Sequence, residues 1–264
     1  MEQIRNIIVA KLRDIEEKEG VKILYAVESG SRGWGFDSRD SDYDVRFIYV
    51  RPMDWYLSIE DRRDVIEYPV SDQLDISGWD IKKALKLFEN SNPPLYEWLT
   101  SPIIYLEQEG FAQKLRVLMF KFYSPVAAIH HYLHMAQGNY RAYLTKRKIK
   151  IKKYFYVLRP ILACMWIKEE KSMPPMEFEK LFSAQNLTQK VTNEIKELLK
   201  RKKLGLELNA EDKVEAIIDF LEEKLDFFEN YVNKLVPKKS PKDDSLDKLF
   251  KDMMDPGICA VPLD

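Results

Sequence analysis

The spacing of apolar residues changes character part-way along the chain. Over residues 2–19, Ile4, Ile7, Ile8, Leu12 and Ile15 recur at helical intervals with charges between them, and Gly20 ends the pattern; an amphipathic helix is expected. Residues 21–28 then form a short apolar run that reads as a buried strand, and residues 43–50 form a second, closed by Arg51-Pro52. Met53 to Ile59 reads as a short helix, 63–70 as a third strand ended near Pro69, and 73–77 as a short fourth. Asp80 has the residue type and position of an N-cap for a helix over 81–90, with Ile81, Ala84, Leu85 and Phe88 as its apolar face. Asn92-Pro93-Pro94 breaks that helix and starts another through Trp98.

Beyond about residue 107 the periodicity is helical throughout, with helices predicted at 107–121, 125–144, 149–170, 174–183, 188–203 and 211–235. Pro160 falls inside the third of these and is expected to kink it or mark a division. The stretch from Pro237 to Asp264 mixes Lys, Pro, Asp and Ser and reads as poorly packed, apart from an amphipathic turn from Leu246 to Met254. The expected architecture is an α/β (α+β) N-terminal domain with a small mixed sheet over residues 1–105, an all-α helical domain over 106–236, and a tail over 237–264. No internal repeat is visible.

Between the first two strands lies the run Gly30-Ser31-Arg32-Gly33-Trp34-Gly35, followed by Asp40-Ser41-Asp42-Tyr43-Asp44 at the mouth of the second strand. Alternate strand residues point the same way, which places Asp42 and Asp44 on one face about 6–7 Å apart at their Cα atoms. An EF-hand reading of Asp40-x-Asp42-x-Asp44 fails, because Val45 stands where Gly is needed and Arg51 where Glu is needed. A dinucleotide fingerprint fails too: no third glycine follows Gly33 and Gly35 at the right offset, and a strand comes next instead of a helix. No P-loop sequence occurs. The pattern of a hydrophobic residue, Gly-Ser, about a dozen residues and then Asp-hydrophobic-Asp resembles the DNA polymerase β-like nucleotidyltransferases, and this resemblance accounts for both halves of the stretch.

Transfer of a nucleotidyl group requires attack on a phosphate that already carries charge, which two divalent cations held by clustered carboxylates can assist. The resemblance makes Asp42, Asp44 and Asp75 the catalytic and metal-holding set, with Mg²⁺, or Mn²⁺ in its place, as cofactor and an NTP as substrate. Asp75 lies mid-strand between Leu74 and Ile76, which face the other way; Asp72 reads as turn and Asp80 as helix cap. Gly30 and Ser31 are expected to hold the triphosphate through backbone N–H groups and the hydroxyl, and Arg32 to add a bidentate contact. Arg39 and Arg46 are weaker candidates, and Glu28 reads as a strand-end charge facing solvent.

A basic, aromatic segment follows in the helical half. It runs from Asn139-Tyr140-Arg141 through Lys146-Arg147-Lys148-Ile149-Lys150-Ile151-Lys152-Lys153-Tyr154-Phe155-Tyr156 to Arg159, with no Asp or Glu from Arg141 through Lys168. Lysine and arginine neutralise phosphates and tyrosine stacks on bases, so Lys153, Tyr156 and Arg159 are expected to line the helical wall of a nucleotide cleft. His130 and His134 share a helical face, but no third zinc ligand lies in reach, and nothing around Cys164 points to a reactive thiol.

The formal net charge of −1 gives no global attraction to nucleic acid, so any basic surface is local. The two cysteines, Cys164 and Cys259, form no spaced pair, and no apolar run approaches the ~20 residues a membrane helix needs; a soluble cytoplasmic protein with no membrane partner is expected. Oligomeric state is not legible. Further blocks, including Asp75-Ile-Ser-Gly-Trp-Asp80, Ser91-Asn-Pro-Pro, His131-Tyr-Leu-His-Met-Ala and Leu158-Arg-Pro-Ile-Leu-Ala, are similar to the predicted nucleotidyltransferases associated with bacterial RNA-repair operons, the YcgL-like group. That likeness covers roughly residues 20–235 and implies a nucleotidyltransferase domain closed by a helical one. It also implies RNA as the acceptor of the NMP, with a small molecule, a protein, or simple nucleotide or RNA binding as alternatives.

Overall fold

The computed structural model describes residues 2–38, 41–71, 73–206, 210–236 and 243–254. The elements run α1 (Glu2–Glu19), β1 (Lys22–Glu28), α2 (Gly30–Gly33), β2 (Tyr43–Val50), α3 (Met53–Tyr56), β3 (Val65–Ser71), β4 (Leu74–Asp80), α4 (Ile81–Glu89), α5 (Pro93–Leu99) and β5 (Ile104–Glu107). The remainder is α6 (Phe111–Phe122), α7 (Pro125–Asn139), a π-helical turn (Tyr140–Leu144), β6 (Lys148–Lys150), α8 (Ile151–Glu170), α9 (Phe178–Ser183), α10 (Gln189–Lys203), β7 (Ala210–Asp212), α11 (Glu215–Val232) and α12 (Ser245–Asp252).

A mixed sheet of order β3-β4-β2-β1-β5 organises the first half. Only the β2–β4 pair is parallel; the others are antiparallel. The period of two decides what each face buries. Val45, Phe47 and Tyr49 pack with Ile8, Leu12 and Ile15 of α1, while Ile48 and Val50 pack on the opposite side with Ile81, Leu85 and Phe88 of α4 and with α5 and α6. In β1 the consecutive Leu24 and Tyr25 both join the second face, because the β1–β2 register shifts between Ile23 and Tyr25. Such a bulge is the way a strand turns two neighbours to one side.

Several elements differ from the expectation. Residues 104–107 are a fifth strand beside β1, so the change of periodicity near residue 105 falls inside the sheet. β4 extends to Asp80 instead of ending at 77, since its parallel partner β2 supplies ladder bonds along its full length. Pro69 lies within β3, an edge strand, where a missing N–H costs no ladder bond. The three-residue strands β6 and β7 were read as helix ends.

Pro160 marks no division: α8 runs through it, and the residue is buried. A proline cannot donate to the carbonyl four residues back, here that of Tyr156. Asn139 fills the gap, its side-chain amide donating to the Tyr156 carbonyl at 3.1 Å. A second core of Ile129, Tyr132, Phe155, Leu158, Leu162, Ile195, Leu221 and their neighbours holds α7, α8, α10 and α11 together. The amphipathic stretch of the tail is α12, whose Leu246 and Leu249, with Met253 and Met254, join the core under α4 in the first half. Residues 237–242 and 255–264, including Cys259, lie outside the described residues.

Candidate active site

β1 and β2 are neighbours in the sheet, so the link between them must leave and re-enter at the same edge. It leaves as the single helical turn α2. Gly30 has φ 58°, in the left-handed region, and a Cβ there would sit 1.9 Å from an Asp44 carboxylate oxygen. Glycine is required on both counts: the backbone conformation, and the Asp44 side chain lying directly over its Cα. The Ser29 N–H donates to the Asp44 carbonyl at 2.8 Å and ties the turn to the mouth of β2.

Asp42 stands in the lead-in to β2 and is exposed; the strand itself begins at Tyr43. Asp44 lies directly across the parallel ladder from Asp75. Burial raises the proton affinity of Asp44, Arg46 opposes that, and the nearby Asp75 and Asp42 carboxylates add to it. The structure therefore brings the three expected carboxylates into electrostatic contact. Arg46 stands between two of them, with Nη2 2.6 Å from Asp75 Oδ2 and 3.4 Å from Asp44 Oδ1. Among the described residues no three His, Cys, Asp or Glu side chains converge as a ready cation site. The exposed Asp42 and half-buried Asp44 offer the oxygen donors that a hard cation takes, whereas Asp75 is engaged by Arg46.

Behind the turn, Glu28 departs from its sequence reading. It is fully buried, not a solvent-facing strand end. One carboxylate oxygen accepts from the Asp44 N–H at 2.8 Å and the other from the Tyr105 hydroxyl. Burial pushes its pKa up to about 7, against the pull of both hydrogen bonds. Glu28 is thus a buried acid that fixes the backbone of Asp44, and the strand β5 that carries Tyr105 was itself missed in the sequence.

A cleft of about 280 Å³ opens over this ground, lined on one side by Ser29, Gly30, Ser31, Asp42, Asp44 and Arg46. Trp34, Phe36 and Ser41 form its floor and rim, and Lys152, Tyr156 and Lys202 close it from the helical half. Of the expected nucleotide-binding residues, Gly30, Ser31 and Tyr156 line this cleft. Arg32 is engaged by the loop itself: it donates to the Ser41 carbonyl at 2.7 Å, to the Asp42 carbonyl and to Asp37, and stacks 3.8 Å from the Tyr43 ring centroid. Lys153 lies one residue off the cleft face, with Nζ 3.8 Å and 4.6 Å from the ring centroids of Tyr143 and Tyr156; its neighbour Lys152 is the lining residue.

Arg159 is not on the cleft wall. It is 2% exposed and pairs with Glu97 of α5 at 2.6 Å, while the Tyr132 hydroxyl donates to the same Glu97 oxygen at 2.6 Å. The guanidinium also packs 4.8 Å from the Trp34 ring centroid, behind the cleft floor. The buried partner Glu97 draws Arg159 inward, since a guanidinium at such a depth needs a carboxylate.

Sequence reasoning missed Lys202 and Trp34. Lys202 is 3% exposed, within a run of four basic residues that reads as a helix C-terminus complementing its dipole. Trp34 and Phe36 follow the turn directly, and Phe36 inserts between Phe155 and Phe178 of the helical core. That run of aromatics beside three glycines was the available signal. The weak candidate Arg39, together with Asp40 and Asp72, lies outside the described residues. His130, His131 and His134 all sit on the solvent face of α7, and Cys164 is buried, with its thiol pKa pushed up by that burial. No described helix is long and apolar enough to cross a membrane.

Comparison with known proteins gives the chain its family. The model of the RNA repair pathway DNA polymerase beta family matches residues 4–252. The uncharacterized protein YcgL of Bacillus subtilis (strain 168) is 48% identical over 243 residues, covering 92% of this chain and 94% of that protein. The crystal structure of a nucleotidyltransferase-like protein from Exiguobacterium sibiricum 255-15 aligns over 94% of this chain and 79% of its own, at 12% identity and a TM-score of 0.33, a similarity too weak to argue from. The chain belongs to the RNA repair pathway DNA polymerase beta family.

Proposed function

We propose that the protein is a metal-dependent nucleotidyltransferase that moves NMP from an NTP to a hydroxyl of RNA, releasing pyrophosphate. One observation carries this reading: Asp42 and Asp44 line one side of a cleft whose other walls are a Gly-Ser turn and two lysines, and Asp75 stands across the β2–β4 ladder from Asp44. In the reaction the acceptor oxygen forms a bond to the α-phosphorus, the bond to the pyrophosphate oxygen breaks, and the hydroxyl proton is released. Mg²⁺ held by Asp42 and Asp44, with Asp75 as a third carboxylate, would supply charge neutralisation at the phosphate.

The chain's own groups have defined tasks. The first N–H groups of a helical turn have no intrahelical acceptor, so those of Gly30 and Ser31, with the Ser31 hydroxyl, suit phosphate oxygens. Lys152 and Lys202 add positive charge from the facing wall. Tyr156 and Trp34 offer ring faces for a base. Arg46 holds Asp75 until substrate enters, which also limits repulsion among the carboxylates. A second reading, nucleotide binding without turnover, draws on that same Arg46–Asp75 contact.

The test is incubation of the protein with each α-labelled NTP, Mg²⁺ or Mn²⁺, and total cellular RNA, beside Asp42→Ala and Asp44→Ala. Label in RNA with the wild type alone is the expected result. Nucleotide binding with no labelled product from any NTP would replace transfer with the binding-only reading, and label in a small molecule or protein would replace the acceptor.

A further inference from the structure

Two basic runs far apart in sequence meet on the surface next to the cleft. The first is Lys146-Arg147-Lys148-Ile149-Lys150, leading into Lys152 and Lys153; the second is Lys200-Arg201-Lys202-Lys203 at the end of α10. Pairing of β6 with β7, which follows α10 after a short link, brings them together, and α10 packs on α8. In β6 the period of two sends Ile149 into the core and leaves Lys148 and Lys150 exposed on the same face.

Lys146, Arg147, Lys148, Lys150 and Lys200 are exposed, and their side chains form no ion pair or hydrogen bond among the described residues. Like charges held side by side without partners repel, which opposes folding unless a polyanion is their partner. Three acidic groups face the runs: Glu211 pairs with Arg201, Glu179 lies 3.8 Å from Lys203, and Asp212 sits across from Lys148. Each run brings a lysine to the cleft lining: Lys152 directly follows the first, and Lys202 lies within the second. Tyr143 and Tyr156, 6.2 Å apart edge to face, stand where the first run reaches the cleft.

We infer that the β6 edge and the basic end of α10 form a docking track for a single-stranded stretch of RNA, which leads its hydroxyl end to the cleft. Unpaired cations bind the phosphates of the body of the strand, and the tyrosines supply stacking faces near its end. A single strand fits better than a duplex, because the outer face of β6 is three residues long and the cleft of about 280 Å³ is at the small end of ligand pockets. The inference rests on the proposed activity only for the direction of the strand.

The experiment is fluorescence anisotropy of a labelled 12-nucleotide RNA from 50 to 300 mM salt, with wild type and Lys148→Glu/Lys150→Glu, and a labelled NTP analogue measured in parallel. With about five phosphate contacts, the wild-type plot of log affinity against log salt has a slope of about −3.5. The variant loses at least tenfold in RNA affinity at 100 mM salt, has a slope shallower by about 1.4, and binds the NTP analogue and melts as wild type does. Equal RNA binding by wild type and variant, or a duplex of the same length bound more tightly than the single strand, would overturn the inference. So would wild type that ignores RNA and captures an acidic polypeptide. Binding needs no turnover, so an inactive protein that holds RNA through Lys148 and Lys150 upholds the track while removing the activity. An active enzyme indifferent to the variant does the reverse.

Discussion

Replacing Arg159 by Met tests whether the buried pair with Glu97 joins the two halves of the protein. The guanidinium lies 2.6 Å from Glu97 Oε1, both residues are buried, and the same oxygen takes the Tyr132 hydroxyl. Methionine keeps most of the apolar stem and removes the charge. Glu97 is then left in the interior with one neutral donor, a loss of about 3–5 kcal/mol for breaking one side of a buried pair. For a chain of 264 residues this corresponds to a fall in Tm of about 6–9 °C. Arg159→Met/Glu97→Gln removes both charges and leaves an amide oxygen for Tyr132. The double variant should recover at least half of the loss, a coupling of about 2 kcal/mol or more. Calorimetry with urea titration measures all three. The reasoning is refuted if Arg159→Met lies within about 1 kcal/mol of wild type, or if the double variant is no more stable than the single one.

Glu28 carries a pH signature. Its folded pKa of about 7 lies above its ordinary value of 4.5, so between the two the folded state binds more protons than the unfolded one. The contribution of this residue is fully present below pH 4.5 and is lost as pH rises through 7, by at most about 3 kcal/mol; Glu28→Gln should flatten that part of the stability-pH curve measured by urea titration. Gly30→Ala places a Cβ on Asp44 at φ 58°, and should abolish the proposed nucleotidyl transfer and lower stability by about 1–2 kcal/mol, as read by labelled-NTP assay and melting. Asn139→Leu removes the amide that donates to the Tyr156 carbonyl, and should cost about 1–3 kcal/mol in denaturant titration. Leu249→Ala in α12 should cost about 2 kcal/mol by the same measurement, although it lies beyond the helical half.

Strands β1 to β4 were legible because they obey local rules. Apolar runs of strand length and a Gly-Ser turn between them fix β1 and β2 with few alternatives, and Asp80 caps α4 through its acceptance from the Lys82 N–H at 2.8 Å. What failed depended on distant partners. Glu28 is buried by Tyr105, 77 residues away, and no pattern around Glu28 announces it. Arg159 and Lys153 have the composition of a phosphate wall, but Glu97 claims the first, and helical phase turns the second toward Tyr143 and Tyr156. The strands β6 and β7 are three residues each, too short to show a period of two. Lys202 becomes a cleft residue only through the placement of α10.

The return of α12 to the first half has a consequence for the order of events at the ribosome. Phe88, Leu115 and Phe122 belong to a core whose cover includes Leu246, Leu249, Met253 and Met254. A core begun by earlier segments of the chain is therefore completed by one made much later. At about 5–20 residues per second, the roughly 125 residues between Phe122 and Leu246 keep that apolar surface open for about 6–25 s of translation. During that interval the nascent first half presents a greasy flank that a ribosome-associated chaperone would cover, and the newborn protein seals it only when α12 emerges.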